Sequence, residues 1–125
     1  MFIIDEETGT ITLRQGDSAE LSIENIPDDR QYTVFFSIYD SNRNIIFELD
    51  DTPVDGVVNF KITPALSNLL TVPVEQKTAI YYWAVKRCYK PDDFEDTLIV
   101  GDKKVSDVNK VIVYPLIAEG EENAS

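Results

Sequence analysis

The stretch TAIYYWAVKRCYKPDDFEDTLIVG, residues 78–101, decides the fold. It holds the only Trp and three of the six Tyr, it alternates from Ala79 to Val85, and it turns back through Pro91-Asp92-Asp93 into a second apolar run, Leu98 to Val100. Strong alternation interrupted by turn formers marks a β-hairpin, and its aromatic content marks the centre of a sheet. Successive side chains on a strand point to opposite faces. Tyr81, Trp83 and Val85 therefore face the core, and Ile80, Tyr82, Ala84 and Lys86 face the other way. That second set is less polar than a wetted face should be, which is the first functional clue.

Working outward, short strands are expected on both sides of this hairpin. Upstream, Phe2 to Ile4 and Thr10 to Arg14 flank a Thr-Gly turn. Ser18 to Glu24 follows the Gln15-Gly16-Asp17 break, with Ala19, Leu21 and Ile23 on one face. Tyr32 to Tyr39 turns Val34, Phe36 and Ile38 inward, which leaves Phe35 and Tyr39 outward. Asp40 to Asn44 is rich in side chains that bond the nearby backbone, so it should form a hairpin turn into Ile45 to Leu49. The next loop is Asp50 to Gly56, before a strand at Val57 to Thr63. One short helix is expected at Thr63-Pro64-Ala-Leu-Ser-Asn-Leu-Leu70, where Pro stands first and Leu66, Leu69 and Leu70 share a face. Downstream, Lys103 to Val105 extends the hairpin's second arm. Lys110 to Ile117 gives a last strand, whose Pro115 predicts an edge. The spacing predicts an all-β chain, an immunoglobulin-like antiparallel β-sandwich with one short helix. A single domain should span residues 1–118, with a disordered acidic tail at 119–125.

Composition narrows the function. With 125 residues and 43% apolar residues the chain has enough material for one core without disulfides or metals. Its formal charge of −12 argues against nucleic acid as a partner, because an acidic surface repels phosphate. The single Cys cannot form an internal disulfide, no basic leader precedes the first apolar residues, and no run is long enough to span a bilayer. Synthesis and assembly in a cytoplasm, away from membranes, is the expectation.

Catalytic templates find little to hold on to. The absence of His removes the usual general base and the commonest zinc ligand, and five scattered Gly make no phosphate loop. Paired-carboxylate chemistry needs two carboxyls across a cleft, whereas Asp28-Asp29 and Asp92-Asp93 sit in turns. Asp40-x-Asn42-x-Asn44 copies half an EF-hand, but Ile45 stands where Gly is needed and Asp51 where Glu is needed. Asp92, Asp93, Glu95 and Asp96 are expected to be a solvated loop, and Cys88 a small buried or half-buried residue. No catalytic residue, metal site or cofactor is expected. The remaining signal is outward and apolar: Phe35, Tyr39, Ile80 and Tyr82 form the candidate interface.

The order of short motifs adds a resemblance. Ile11-Thr-Leu-Arg-Gln-Gly16-Asp17-Ser-Ala-Glu-Leu21 is a strand, a Gly-Asp step and a strand. Phe60-Lys-Ile-Thr63-Pro64 leads into a short helical segment, Ile80-Tyr81-Tyr82-Trp83 is an aromatic strand, and Thr97-Leu98-Ile-Val-Gly101 closes the series. Over Thr10 to Pro115 this order resembles the N-terminal domain of bacteriophage baseplate upper proteins. The resemblance implies a non-enzymatic virion structural protein, a tail or baseplate adaptor or a capsid decoration protein. Its partners would be other virion proteins and symmetric copies of itself, through the aromatics above and through Met1 to Asp5 and Val111 to Leu116 as strand-addition edges. The alternative from a different class is a carbohydrate-binding or adhesion module.

Overall fold

A computed structural model describes residues 1–101 and 108–117. The expected strand continuation at Lys103 to Val105 and the acidic tail at 119–125 lie outside the described residues. Among the described residues there are nine strands: β1 (Phe2–Asp5), β2 (Thr10–Arg14), β3 (Ala19–Ile23), β4 (Thr33–Tyr39), β5 (Ile45–Asp51), β6 (Val58–Ile62), β7 (Ala79–Tyr89), β8 (Phe94–Val100) and β9 (Lys110–Tyr114). One helical turn, α1 (Pro64–Ser67), follows β6. Seven strands make one sheet in the order β1-β2-β9-β7-β4-β5, with β8 also on β7, while β3 and β6 make the second layer. The chain is an all-β sandwich.

β7 is the strand the others are built on, as its alternation and length require. Along one edge it pairs with β4, from Cys88 opposite Thr33 to Tyr82 opposite Tyr39. Its other edge is shared, with Ala79 to Tyr82 taken by β9 and Ala84 to Tyr89 by β8. At the changeover, Trp83 donates its N–H to the Asn109 carbonyl at 3.2 Å and accepts the Gly101 N–H at 2.9 Å. Gly101 is required there because a Cβ would collide with the Asn109 carbonyl.

The core lies between the sheets. Val34, Phe36 and Ile38 of β4 and Tyr81, Trp83 and Val85 of β7 are all buried, against Leu21 of β3 and Val58, Phe60 and Ile62 of β6. Phe36 joins the layers, with its ring centroid 5.5 Å from Phe60 and 5.9 Å from Trp83. The indole N–H of Trp83 is satisfied by the Gly9 carbonyl at 2.7 Å, so the buried ring leaves no polar atom stranded.

Three expectations are corrected. Pairing is antiparallel except between β2 and β9, which run parallel, so the sandwich is not purely antiparallel. The last strand is not an edge, because β9 sits between β2 and β7; Pro115 falls one residue beyond its final pair, Tyr114 with Arg14, where no ladder donor is needed. The Leu66, Leu69, Leu70 face also fails. The helix stops at Ser67, Leu70 is buried and Leu69 is 51% exposed. The Thr63 Oγ1 accepts the Leu66 N–H at 3.2 Å as a cap, but the turn serves to hold a corner. The buried Ser67 hydroxyl donates to the Asp17 carbonyl at 2.7 Å and accepts the Gly16 N–H at 3.0 Å. A tight turn also lies inside the expected loop before β6. Val54 and Val57 exchange both backbone hydrogen bonds around Asp55-Gly56, both with positive φ.

Candidate docking surface

The face of the large sheet turned away from the core carries all four candidate interface residues, but it does not expose them equally. Tyr39 and Tyr82 are cross-strand partners whose rings stack at 6.5 Å, and they are only 9% and 5% exposed. The Tyr39 hydroxyl bonds the Gly101 carbonyl and receives the Gly101 N–H at 3.2 Å. The expected exposure of this pair is therefore corrected: the chain leaving β8 meets the Tyr39 hydroxyl, and the two stacked rings are buried. Phe35 is half-buried and Ile80 is 50% exposed. The Tyr pair lies between them, so the outward face is divided in two.

On the Phe35 side, β4, β5, β7 and β8 form an open groove of about 880 Å³. Phe35 stands opposite Lys86, and the polar groups around it are engaged with one another. Ser37 donates to Glu48 at 2.6 Å, and Lys86 pairs with Glu95 at 2.8 Å. That contact lowers the Glu95 carboxyl and raises the Lys86 ammonium from their ordinary values. Cys88, 3.9 Å from Glu95, has its thiol pushed up by desolvation and next by the adjacent carboxylate, both of which disfavour the thiolate. The groove supplies an aromatic floor and hydrogen-bonding groups without an activated nucleophile.

On the Ile80 side, register produces an apolar row. Ile80 lies opposite Ile112 of β9, Ile112 opposite Thr12 of β2, and Thr12 opposite Ile3 of β1. Ile3 is 59% exposed. The row crosses four strands, about 14 Å at the usual interstrand spacing. Beside the row, two residues along its middle strands β2 and β9, the Arg14 guanidinium lies 5.5 Å from the Tyr114 ring centre. Ile3 and Ile112 lie in segments expected as strand-addition edges, but their place beside Ile80 on this face was missed because register links them, and register between distant strands cannot be read from either one. The available signal was the unbroken apolar run in each, Phe2-Ile3-Ile4 and Val111-Ile112-Val113.

The acidic segment after β7 does not converge. Asp92 pairs with Arg30 at 3.3 Å, Glu95 with Lys86, and Asp96 with Arg87 at 3.0 Å, and strand alternation sends Glu95 and Asp96 to opposite faces. Arg87 and Arg30 in turn lie over the Phe94 ring, with Arg87 also 4.8 Å from the Tyr32 ring centre. Each of these carboxylates is thus engaged with its own cation rather than with the others. Asp40 behaves as a turn residue: its Oδ1 accepts the N–H groups of Asn42 and Asn44 at 2.9 Å each, and the bond from Asn44 chiefly lowers its carboxyl. Among the described residues no three His, Cys, Asp or Glu side chains gather as a metal site. Of the two expected strand-addition edges, β1 is an edge and β9 is interior.

The motifs of the resemblance meet in space. The Gly16-Asp17 step is latched to the segment after Thr63-Pro64 through Ser67, Tyr81 of the aromatic strand donates to the Thr71 carbonyl at 2.6 Å, and Gly101 closes over Tyr39. They hold the fold together. No family model matches the chain, and no curated protein matches it either.

Proposed function

We propose that this chain is a non-enzymatic structural module of a bacteriophage virion, assembled in the host cytoplasm, which docks on symmetric copies of itself and on neighbouring tail, baseplate or capsid proteins. The observation that carries the docking reading is the apolar row Ile3, Thr12, Ile112 and Ile80 on the outer face of β1, β2, β9 and β7. Burying an aliphatic side chain contributes about 1.5 to 3 kcal/mol, so the row can anchor an interface whose rim is Arg14, Lys110 and Tyr114. The virion assignment rests on the ordered motifs from Thr10 to Pro115, and the lack of His supports a non-catalytic role. Mass-spectrometric inventory of purified particles tests it. The chain should appear at a fixed ratio to the major structural proteins, and its absence from washed particles contradicts the assignment.

The groove beside Phe35 favours a second reading, carbohydrate binding, in which a sugar stacks on the ring. A glycan panel tests this. Binding that is lost in Phe35→Ala, with the fold intact, would favour it over docking.

A further inference from the structure

We infer a second binding site, distinct from the apolar row: the cleft between the two sheets at β3, which takes an extended partner segment of alternating apolar and basic residues. Among the described residues both layers end here, because β1 is the last strand of one sheet and β3 has a single partner, β6. A cleft of about 570 Å³ opens between them. Every residue from Glu20 to Glu24 lines it, including side chains from both faces of β3, so the cleft runs along the strand's unpaired edge. An unpaired edge offers a row of backbone donors and acceptors to an incoming strand.

The sequence of β3 sets what that strand must be. Ala19, Leu21 and Ile23 face inward, and Glu20, Ser22 and Glu24 face outward. A segment paired to this edge repeats the alternation. Its inward side chains meet Leu21 and Ile23, with Phe2, Ile4 and Trp83 on the cleft's apolar floor. Its outward side chains stand beside Glu20 and Glu24, where opposite charge is favourable and like charge is not. Glu6 and Glu7 line the far wall, so the cleft is rimmed by carboxylates on two sides. None of these four glutamates is in an ion pair among the described residues. Free carboxylates around an apolar floor select a cationic, amphipathic strand and repel an acidic one, including the acidic bulk of a second copy of this chain. The partner is therefore a different protein, or a basic segment of one. The site does not depend on the virion reading.

The probe is an acetylated, amidated peptide, Val-Lys-Val-Thr-Val-Lys, titrated into the full chain while the fluorescence of Trp83 is followed. Saturable single-site binding is expected, weakened at least tenfold in Glu20→Lys with Glu24→Lys, whose exposed positions leave the fold intact. N-methylation of alternate peptide amides, in the register that removes the donors facing β3, should abolish it. Three results would overturn the inference: no saturable signal, equal binding of the equally charged peptide Ser-Lys-Ser-Thr-Ser-Lys, or binding unchanged in the double variant.

Discussion

Trp83 shows how one residue joins both halves of the chain. Its ring is buried beside Phe36 and its N–H is held by Gly9, 74 positions away. Trp83→Ala should cost about 3 to 5 kcal/mol, the usual range for a large buried aromatic, read as a lower urea midpoint with an unchanged slope. A midpoint equal to wild type would contradict the burial. Tyr39 makes a finer test. Tyr39→Phe keeps the stack on Tyr82 but leaves the buried Gly101 carbonyl without that donor, a loss of about 1 to 3 kcal/mol. A variant as stable as wild type would show that the hydroxyl is dispensable. Alternation alone told which face Tyr39 and Tyr82 occupy. It could not tell that they are covered, because the covering contact comes from Gly101, 62 residues further along the chain.

Among the elements, hairpins were the most legible and ends the least. Asp40 to Asn44 forms the turn its short polar side chains imply, and Asp55-Gly56 carried a two-residue turn signal inside what reads as a loop. The edge role of the last strand was misread because a Pro at a strand's end and a Pro within an edge strand look alike in sequence. The short helix forms where it is expected, but its apolar face was misread because Leu spacing does not reveal that Ser67 is taken up by the Gly16-Asp17 corner. Two outcomes follow at this scale. Hydrogen bonds hold the Asp40 carboxyl below its ordinary 3.8, so its contribution is present above that value and is lost as pH falls through the lower, folded-state one. Asp40→Asn should therefore lose less stability than wild type on acidification below pH 3.8; identical acid limbs would contradict the assignment. Millimolar Ca²⁺ should leave the melting temperature unchanged, because Asp92, Glu95 and Asp96 already face cations in different directions. A saturable rise that disappears in Asp93→Ala would overturn this, since binding to the native state raises stability by mass action.

For the whole molecule, the sequence revealed a β-sandwich organised around residues 78–101 and an outward face too apolar for water. Of the four side chains proposed for contact, Ile80 is the exposed one while Phe35 is half-buried, and the row that Ile80 begins continues through β9 to β1 rather than along the aromatic strand. That difference is one of register, which is fixed by long-range packing and not by local pattern. It also selects the decisive variant. Charges at Tyr39 and Tyr82 would disrupt buried packing, whereas Ile3→Asp with Ile80→Asp places them on side chains already half in water, at the two ends of the row. Carboxylates buried without partners at a desolvated contact cost several kcal/mol, while the isolated chain should keep its native circular dichroism and melting temperature. Incorporation of this double variant into particles, scored by gel analysis of purified virions, is the most direct measurement. The account predicts a folded protein that is excluded from the particle; a folded double variant incorporated at the wild-type level would contradict it.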